Sequence, residues 1–311
     1  MSQMGRGITF IEKRIFGIQR KMVAYMTQKS WNEIPHVSYV YEPDMTDFFQ
    51  YFQDNKERFS KNGKISFNTL MLKVIAEGLK AAPELNANLE YSASTARGTH
   101  KIAKEINIAL PWMLDNGDMF TPIVKDVGNK NLHEITDYIN DIARRLKNTI
   151  LEELLYKVSF GEKISDLKSL KFSSLKQIIP NLIGKHRVRR ISRQRRKEYY
   201  KIPEKDRLTP ADIFGATTLV SNIGSINRHQ KGAVTVLEII APQVFVIGLN
   251  ALQDRPGVYT DANGKQQIGI RKILPICCTF DHRAVDFGQL LPFQDRIAEI
   301  IANPKEIDKW V

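Results

Sequence analysis

A chain of 311 residues, 42% apolar and 26% charged, can bury a substantial core in one large domain or two ordinary ones. It holds no run of about 18 or more apolar residues, which excludes a membrane-spanning helix. Its 46 Lys and Arg against 34 Asp and Glu leave a net charge of +12, much of it concentrated between Lys185 and Lys201. The first residues, Met1 to Gly7, lack the basic-then-apolar layout of a secretory signal. Cys277 and Cys278 are adjacent and too close for an ordinary disulfide, so they read as core-filling thiols of a reduced compartment, by default the cytoplasm.

Residues 8–30 carry apolar positions from Ile8 to Met26 among Lys13, Arg14, Arg20 and Lys21, the pattern of a basic amphipathic helix or an arm followed by one. After Pro35, His36 to Tyr41 is rich in β-branched and aromatic residues and predicts a strand. Asp44 or Thr46 can cap a helix over Asp47 to Phe59, and Ser66 or Asn68 one over Thr69 to Ala81, stopped by Pro83. Leu85 to Tyr91 is short and extended, and Ser92 to Gly98 is a polar turn. Ile106 to Pro111 and Phe120 to Lys125 form a strand pair about the Asn116-Gly117 turn. Asn131 to Arg145 is amphipathic through Leu132, Ile135, Tyr138, Ile139 and Ile142.

From about 151 to 204 the alternation of strands and helices stops. An apolar half, Leu167 to Ile183, is interrupted by Pro180 and followed by Lys185, Arg187, Arg189, Arg190, Arg193, Arg195, Arg196, Lys197 and Lys201, with Glu198 the single acid among them. This is an inserted helical segment. Its basic half is a solvated face, a cover for its own domain, or a contact for an anionic membrane surface or an acidic acyl carrier protein. Steep salt dependence would mark nucleic-acid binding by the same arginines, but no recognition motif or interleaved aromatic residues accompany them.

Strand signals resume at Ala216 to Ser221, which ends in a turn at Asn222 to Ser225. Ala233 to Ile240 and Val244 to Leu249 predict two further strands, Gly257 to Gly264 reads as loop, and Ile268 to Cys278 predicts the last strand. There follow Thr279 to Gly288 and an amphipathic helix over Gln289 to Ala302. His282 and Asp286, four residues apart, therefore sit where a strand hands over to a helix. The fold class is α+β, a mixed-sheet two-layer sandwich with helices.

Five stretches carry a family resemblance: Ile34 to Val37 with Asp44 to Thr46, Pro83 to Ala87, Ile106 to Ala109 through Thr121 to Asp126, Thr217 to Gly224, and Asp281 to Asp286. In this order they resemble the catalytic domain of the dihydrolipoamide acyltransferases of 2-oxoacid dehydrogenase complexes, a chloramphenicol acetyltransferase-like fold. The resemblance covers roughly residues 14–150 and 205–311. It leaves an arm at 1–13, an insertion at about 151–204, and no lipoyl or subunit-binding segment, hence no covalently bound lipoyl group on this chain.

The resemblance implies an acyltransferase that uses an acyl thioester of CoA or of a carrier, and a thiol, alcohol or amine acceptor. It makes His282 the general base and Ser221 the hydroxyl that stabilises the oxyanion, with Asn222 and Gly224 shaping that turn. Asp286 is expected to fix the loop by pairing with a basic residue, Arg14 or Arg20 being candidates. The family's groups meet across a homotrimer interface, so His282 of one subunit would face Ser221 of the next. One departure bears on the site: Phe287 stands between Asp286 and Gly288, where the family has Gly directly after the Asp. That bulk motivates the alternative of a catalytically weakened trimeric scaffold. No His, Cys or acid has metal-ligand spacing, and no Gly-rich phosphate loop or dinucleotide fingerprint occurs.

Overall fold

The computed structural model describes residues 9–60, 64–115, 117–165, 187–188 and 190–311, and the chain divides into two compact units. The larger comprises Thr27–Asn148 and Glu204–Val311, the smaller Met1–Met26 and Thr149–Pro203. Helix α1 spans Ile18–Glu33, beginning later than the periodicity of residues 8–30 predicts, since residues 9–17 are not helical.

The larger unit is built on a six-stranded mixed sheet. Its strands are β1 (His36–Tyr41), β4 (Ile108–Ala109), β7 (Ile123–Val124), β8 (Thr218–Asn222), β9 (Phe245–Leu249) and β12 (Ile276–Asp281), in the order β1-β12-β9-β8-β4-β7. β12 is antiparallel to β1 and β9, β8 is parallel to β9 and β4, and β7 closes the edge antiparallel to β4. β9 and β12 are buried along their whole length, and β12 carries Thr279 and Asp281 into that interior among its apolar residues.

Helices α2 (Thr46–Asp54), α3 (Lys56–Phe59), α4 (Phe67–Ala81) and α5 (Leu132–Lys147) follow the predicted segments. Ser66 caps α4 by accepting from Thr69 N–H at 3.0 Å, and Asn131 and Glu134 form a reciprocal capping box on α5. α4 buries Leu70, Leu72, Val74, Ile75 and Leu79, each worth about 1.5–3 kcal/mol of transfer free energy. It packs so closely on the last helix, α9 (Phe287–Ala302), that a Cβ on Gly78 would lie 2.7 Å from the Phe293 ring. Glycine is what allows that approach.

Four expectations change. Ala233 to Ile240 is not a strand, because β9 already has a neighbour on each side, β8 and β12. Its backbone is instead held by side chains: Leu237 N–H donates to Thr279 Oγ1 at 3.2 Å, Ile239 N–H to His36 Nε2 at 3.1 Å, and Ser30 Oγ to the Ile239 carbonyl at 2.7 Å. The predicted Ile268–Cys278 strand is two, β11 (Gln266–Ile273) and β12, divided at Leu274-Pro275 where proline removes a ladder donor. The stretch read as loop at Gly257 is part of β10 (Gln253–Thr260), which pairs with β11 as a separate hairpin. Arg97–Ile102 is β3, paired with β2 (Ala87–Ser92). Trp112–Met113 (β5) and Met119–Phe120 (β6) continue the expected pair about residue 117, and Asn116 lies outside the described residues.

The smaller unit holds α6 (Leu151–Ser165) and α7 (Arg193–Tyr199). Buried Glu153 accepts from Arg190 Nε at 2.8 Å and from the Tyr200 hydroxyl at 2.8 Å. Burial first, then the Glu153 carboxylate, pushes the Tyr200 phenol up to about 12. One arginine of the basic run is thus consumed internally. The apolar half around Pro180, with Lys185, His186 and Arg189, lies outside the described residues.

Candidate active site

The first half of the site stands at the end of β8. Ser221 is opposite Gly248 of β9, and Asn222 hands the strand to a one-turn helix, α8 (Ile223–Ile226). Asn222 Oδ1 caps that turn by accepting from Ser225 N–H at 2.9 Å. A Cβ on Gly224 would lie 2.6 Å from the Asn250 carbonyl oxygen and 2.7 Å from Ala251 Cα. The turn can therefore approach the end of β9 only with glycine at this position. Among the described residues the Ser221 hydroxyl has no hydrogen-bond partner, so its proton is available to a ligand oxygen.

Sequence reasoning overlooked Asn250, which organises this end. It is buried, donates from Nδ2 to the Pro275 carbonyl at 3.0 Å, and accepts at Oδ1 from Gln230 Nε2 at 2.9 Å and Val234 N–H at 2.8 Å. The available signal was a carboxamide directly after the apolar run Val244 to Leu249, where a buried polar side chain must find partners. Two cavities open here. One of about 460 Å³ is lined by Asn222, Gly224, Asn250, Phe49 and Phe67 among others, and one of about 190 Å³ by Asn222, Val220, Leu72 and Trp112 among others.

The second half stands at the end of β12. His282 N–H donates to the Pro35 carbonyl at 3.1 Å, and its Nδ1 lies 3.0 Å from Asp286 Oδ1. A carboxylate only accepts, so Nδ1 carries the hydrogen of that bond and, in the neutral ring, Nε2 keeps its lone pair. The imidazole is half exposed. Its ring meets Phe280 edge-on at 5.9 Å, Phe280 meets Phe287 at 5.6 Å, and Phe287 meets Tyr39 at 5.9 Å. Phe287 is thus the first residue of α9, seated against two aromatic rings.

The Asp286 carboxylate, for which the resemblance implied a basic partner, faces His282. Arg14 pairs with Glu12 at 2.7 Å. The ion pair that fixes the loop is made by Asp281, fully buried, with Arg283: Arg283 Nη2 lies 2.6 Å from Oδ2, and the Arg283 backbone N–H donates to Oδ1 at 3.0 Å. Hydrogen bonding to that carboxylate raises the Arg283 pKa above its ordinary value, and the guanidinium lies 5.0 Å over the Tyr91 ring.

The two halves do not meet within one chain. Ser221 aligns through Gly248 with Cys277, five residues before His282. That is about 17 Å along β12 and two strand spacings, about 10 Å, across the sheet. No cluster of three or more His, Cys, Asp or Glu side chains suited to a metal occurs among the described residues, and no helix among them is long and apolar enough to cross a membrane.

Residues 10–155 and 178–308 match the family described as 2-oxoacid dehydrogenases acyltransferase (catalytic domain). A dihydrolipoyllysine-residue acetyltransferase component of the pyruvate dehydrogenase complex from Mycobacterium bovis is 23% identical over 284 residues. The match takes in 90% of this chain, which spans 38% of that relative's length. Among solved structures, the cubic core of the pyruvate dehydrogenase multienzyme complex superposes with a TM-score of 0.62 at 19% identity, covering 96% of this chain and 94% of that one. The Azotobacter vinelandii dihydrolipoamide acetyltransferase, solved to define the roles of a serine, a histidine and an asparagine in its catalytic mechanism, superposes with a TM-score of 0.61 at 19% identity over the same shares. The chain belongs to the 2-oxoacid dehydrogenase acyltransferase catalytic-domain family.

Proposed function

We propose that this protein moves an acyl group between the thioester of CoA and the thiol of a dihydrolipoyl group or other carrier, in a homotrimer whose active sites lie between subunits. The observation that carries the reading is the pairing of His282 Nδ1 with Asp286 at 3.0 Å, which leaves Nε2 as the basic nitrogen. The acceptor S–H gives its proton to Nε2, and the sulfur attacks the acyl carbon. The carbonyl π pair moves onto oxygen, and the Ser221 hydroxyl donates to that oxyanion. The intermediate then collapses, the donor C–S bond breaks, and the leaving thiolate takes the proton back from Nε2. The histidine and asparagine whose catalytic roles were investigated in the Azotobacter vinelandii enzyme are four positions apart, the spacing of His282 and Asp286 here.

A shared site follows from the distance between Ser221 and His282 in one chain, since a hydroxyl so far from the base cannot serve the same carbonyl. The intact His, Asp and Ser weigh against an idle scaffold. Asn222, Gly224 and the two adjoining cavities supply a substrate wall at the Ser221 end. Arg187, Arg193, Arg195 and Lys197 make no ion pair among the described residues. We assign them to an acidic carrier domain, with an anionic membrane surface as the second source of the same charge. Flotation with anionic vesicles separates the two. With two buried free thiols, the cytoplasm is the compartment we assign.

Acetyl transfer from acetyl-CoA to dihydrolipoamide tests the reading. His282→Ala should lower the rate about 10²–10⁴-fold and Ser221→Ala about 10²–10³-fold, with assembly unchanged in both. Undiminished transfer in His282→Ala would overturn it.

A further inference from the structure

One imidazole outside the catalytic pair has both ring nitrogens committed. His36 opens β1, opposite Asp281 of β12. Its Nδ1 lies 2.8 Å from the Ile34 carbonyl oxygen, and its Nε2 lies 3.1 Å from the Ile239 nitrogen. A carbonyl only accepts, so Nδ1 carries the hydrogen; the Ile239 N–H only donates, so Nε2 offers its lone pair. Ser30 Oγ stands 3.2 Å from the same Nε2 but gives its own hydrogen to the Ile239 carbonyl at 2.7 Å. These partners fit one tautomer of the neutral ring, since a second ring proton would face the Ile239 N–H. The Trp31 ring stacks on the imidazole at 4.7 Å and holds its plane.

The two peptides that this ring holds lead to the two halves of the catalytic pair. Pro35, between Ile34 and His36, offers the carbonyl that accepts the His282 N–H at 3.1 Å. The bond from Nδ1 to Ile34 thus fixes the turn on which the backbone of the base hangs. Ile239 belongs to the segment 233–240, which covers one face of β8 and β9. Leu219 and Val246 pack there with Leu237 and Ile239. Ser221, two positions beyond Leu219, faces the same side of the sheet. Gly248 is its neighbour across the ladder, and a Cβ there would lie 3.0 Å from Leu237 Cδ1. The segment therefore walls the space into which the Ser221 hydroxyl points. It has no ladder of its own and keeps its place through side chains.

Resting on the reading of Ser221 and His282 as the catalytic groups, we infer that His36 is a positioning residue for acyl transfer, its neutral imidazole tying the turn beneath His282 to the segment beside Ser221. It touches neither substrate nor the reacting atoms. Its loss should therefore appear in kcat and leave KM in place.

Three variants of the full chain test this in acetyl transfer from acetyl-CoA to dihydrolipoamide. His36→Ala removes both contacts and should lower kcat about 10–100-fold, with KM within about twofold of the wild type. His36→Gln carries an amide oxygen out to the place of Nε2, keeps an acceptor for the Ile239 N–H, and should hold kcat within about threefold of the wild type. His36→Asn reaches only as far as Nδ1, leaves that buried N–H without its acceptor, and should fall to the level of His36→Ala. Circular dichroism and sedimentation should match the wild type in all three. An unchanged kcat in His36→Ala, or a loss carried by KM, would overturn the role. Should His36→Ala fail to fold, the Gln and Asn variants decide alone, and equal kcat in the two would overturn it. A wild type that transfers no acyl group would instead overturn the reading of the catalytic groups beneath it.

Discussion

At the residue scale the site depends on one hydrogen bond and one glycine. The His282–Asp286 bond is exposed, so its contribution is modest, up to about 1 kcal/mol. Asp286→Ala should therefore slow transfer about fivefold, with kcat reduced and KM unchanged, because the aspartate orients the base without touching substrate. Gly224 is the stricter constraint. In Gly224→Ala the new Cβ meets backbone at 2.6–2.8 Å, which no side-chain rotation relieves. It should cost about 1–3 kcal/mol in thermal unfolding and misplace Ser221 enough to lower activity more than Asp286→Ala does. His282, Asp286, Ser221 and Gly224 are legible in the sequence because motif and turn lie on contiguous residues. Asp281 is less so. A buried acid paired two residues on with Arg283 looks the same in one dimension as any Asp-x-Arg, and only its complete burial reveals that it, rather than Asp286, fixes the loop.

At the element scale, the buried strands and amphipathic helices follow from periodicity, since Val244 to Leu249 and the face of α4 have a single way to bury their apolar atoms. What escapes is decided by partners. The segment Ala233 to Ile240 has strand composition but no vacant neighbour, so His36, Thr279, Ser30 and Asn250 bind its backbone from distant parts of the chain. β10 contains Pro256 and Gly257 and is nonetheless a strand, because an isolated hairpin has outer edges where a missing donor costs little. The anchor of that hairpin has a pH signature. Burial acts on Asp44 to raise its pKa, but hydrogen bonds from Thr46 and Arg271, with the Arg271 charge, outweigh it and hold the carboxyl below the usual aspartate range. A lowered folded-state pKa stabilises above the unfolded value and is lost as pH falls through the folded one. The unfolding-temperature gap between the wild type and Asp44→Asn should thus be full at neutral pH and close as pH drops below the ordinary aspartate range. A gap unchanged in acid would show that the pair does not anchor the hairpin.

At the scale of the whole molecule, the sheet order puts the base and the oxyanion donor at opposite ends of β12 and β8, two strands that β9 separates. The motifs point to the chemistry, but strand register is what separates the groups, and register depends on pairings between residues up to 245 positions apart, as in His36 with Asp281. Subunit complementation tests the resulting account most directly. Ser221→Ala and His282→Ala, each inactive alone, are co-assembled in equal amounts. In a head-to-tail trimer every mixed ring regains one intact site, so random assembly predicts about a quarter of wild-type activity. If both groups served one site within the same subunit, the mixture would be as inactive as either variant, and that result would contradict the account.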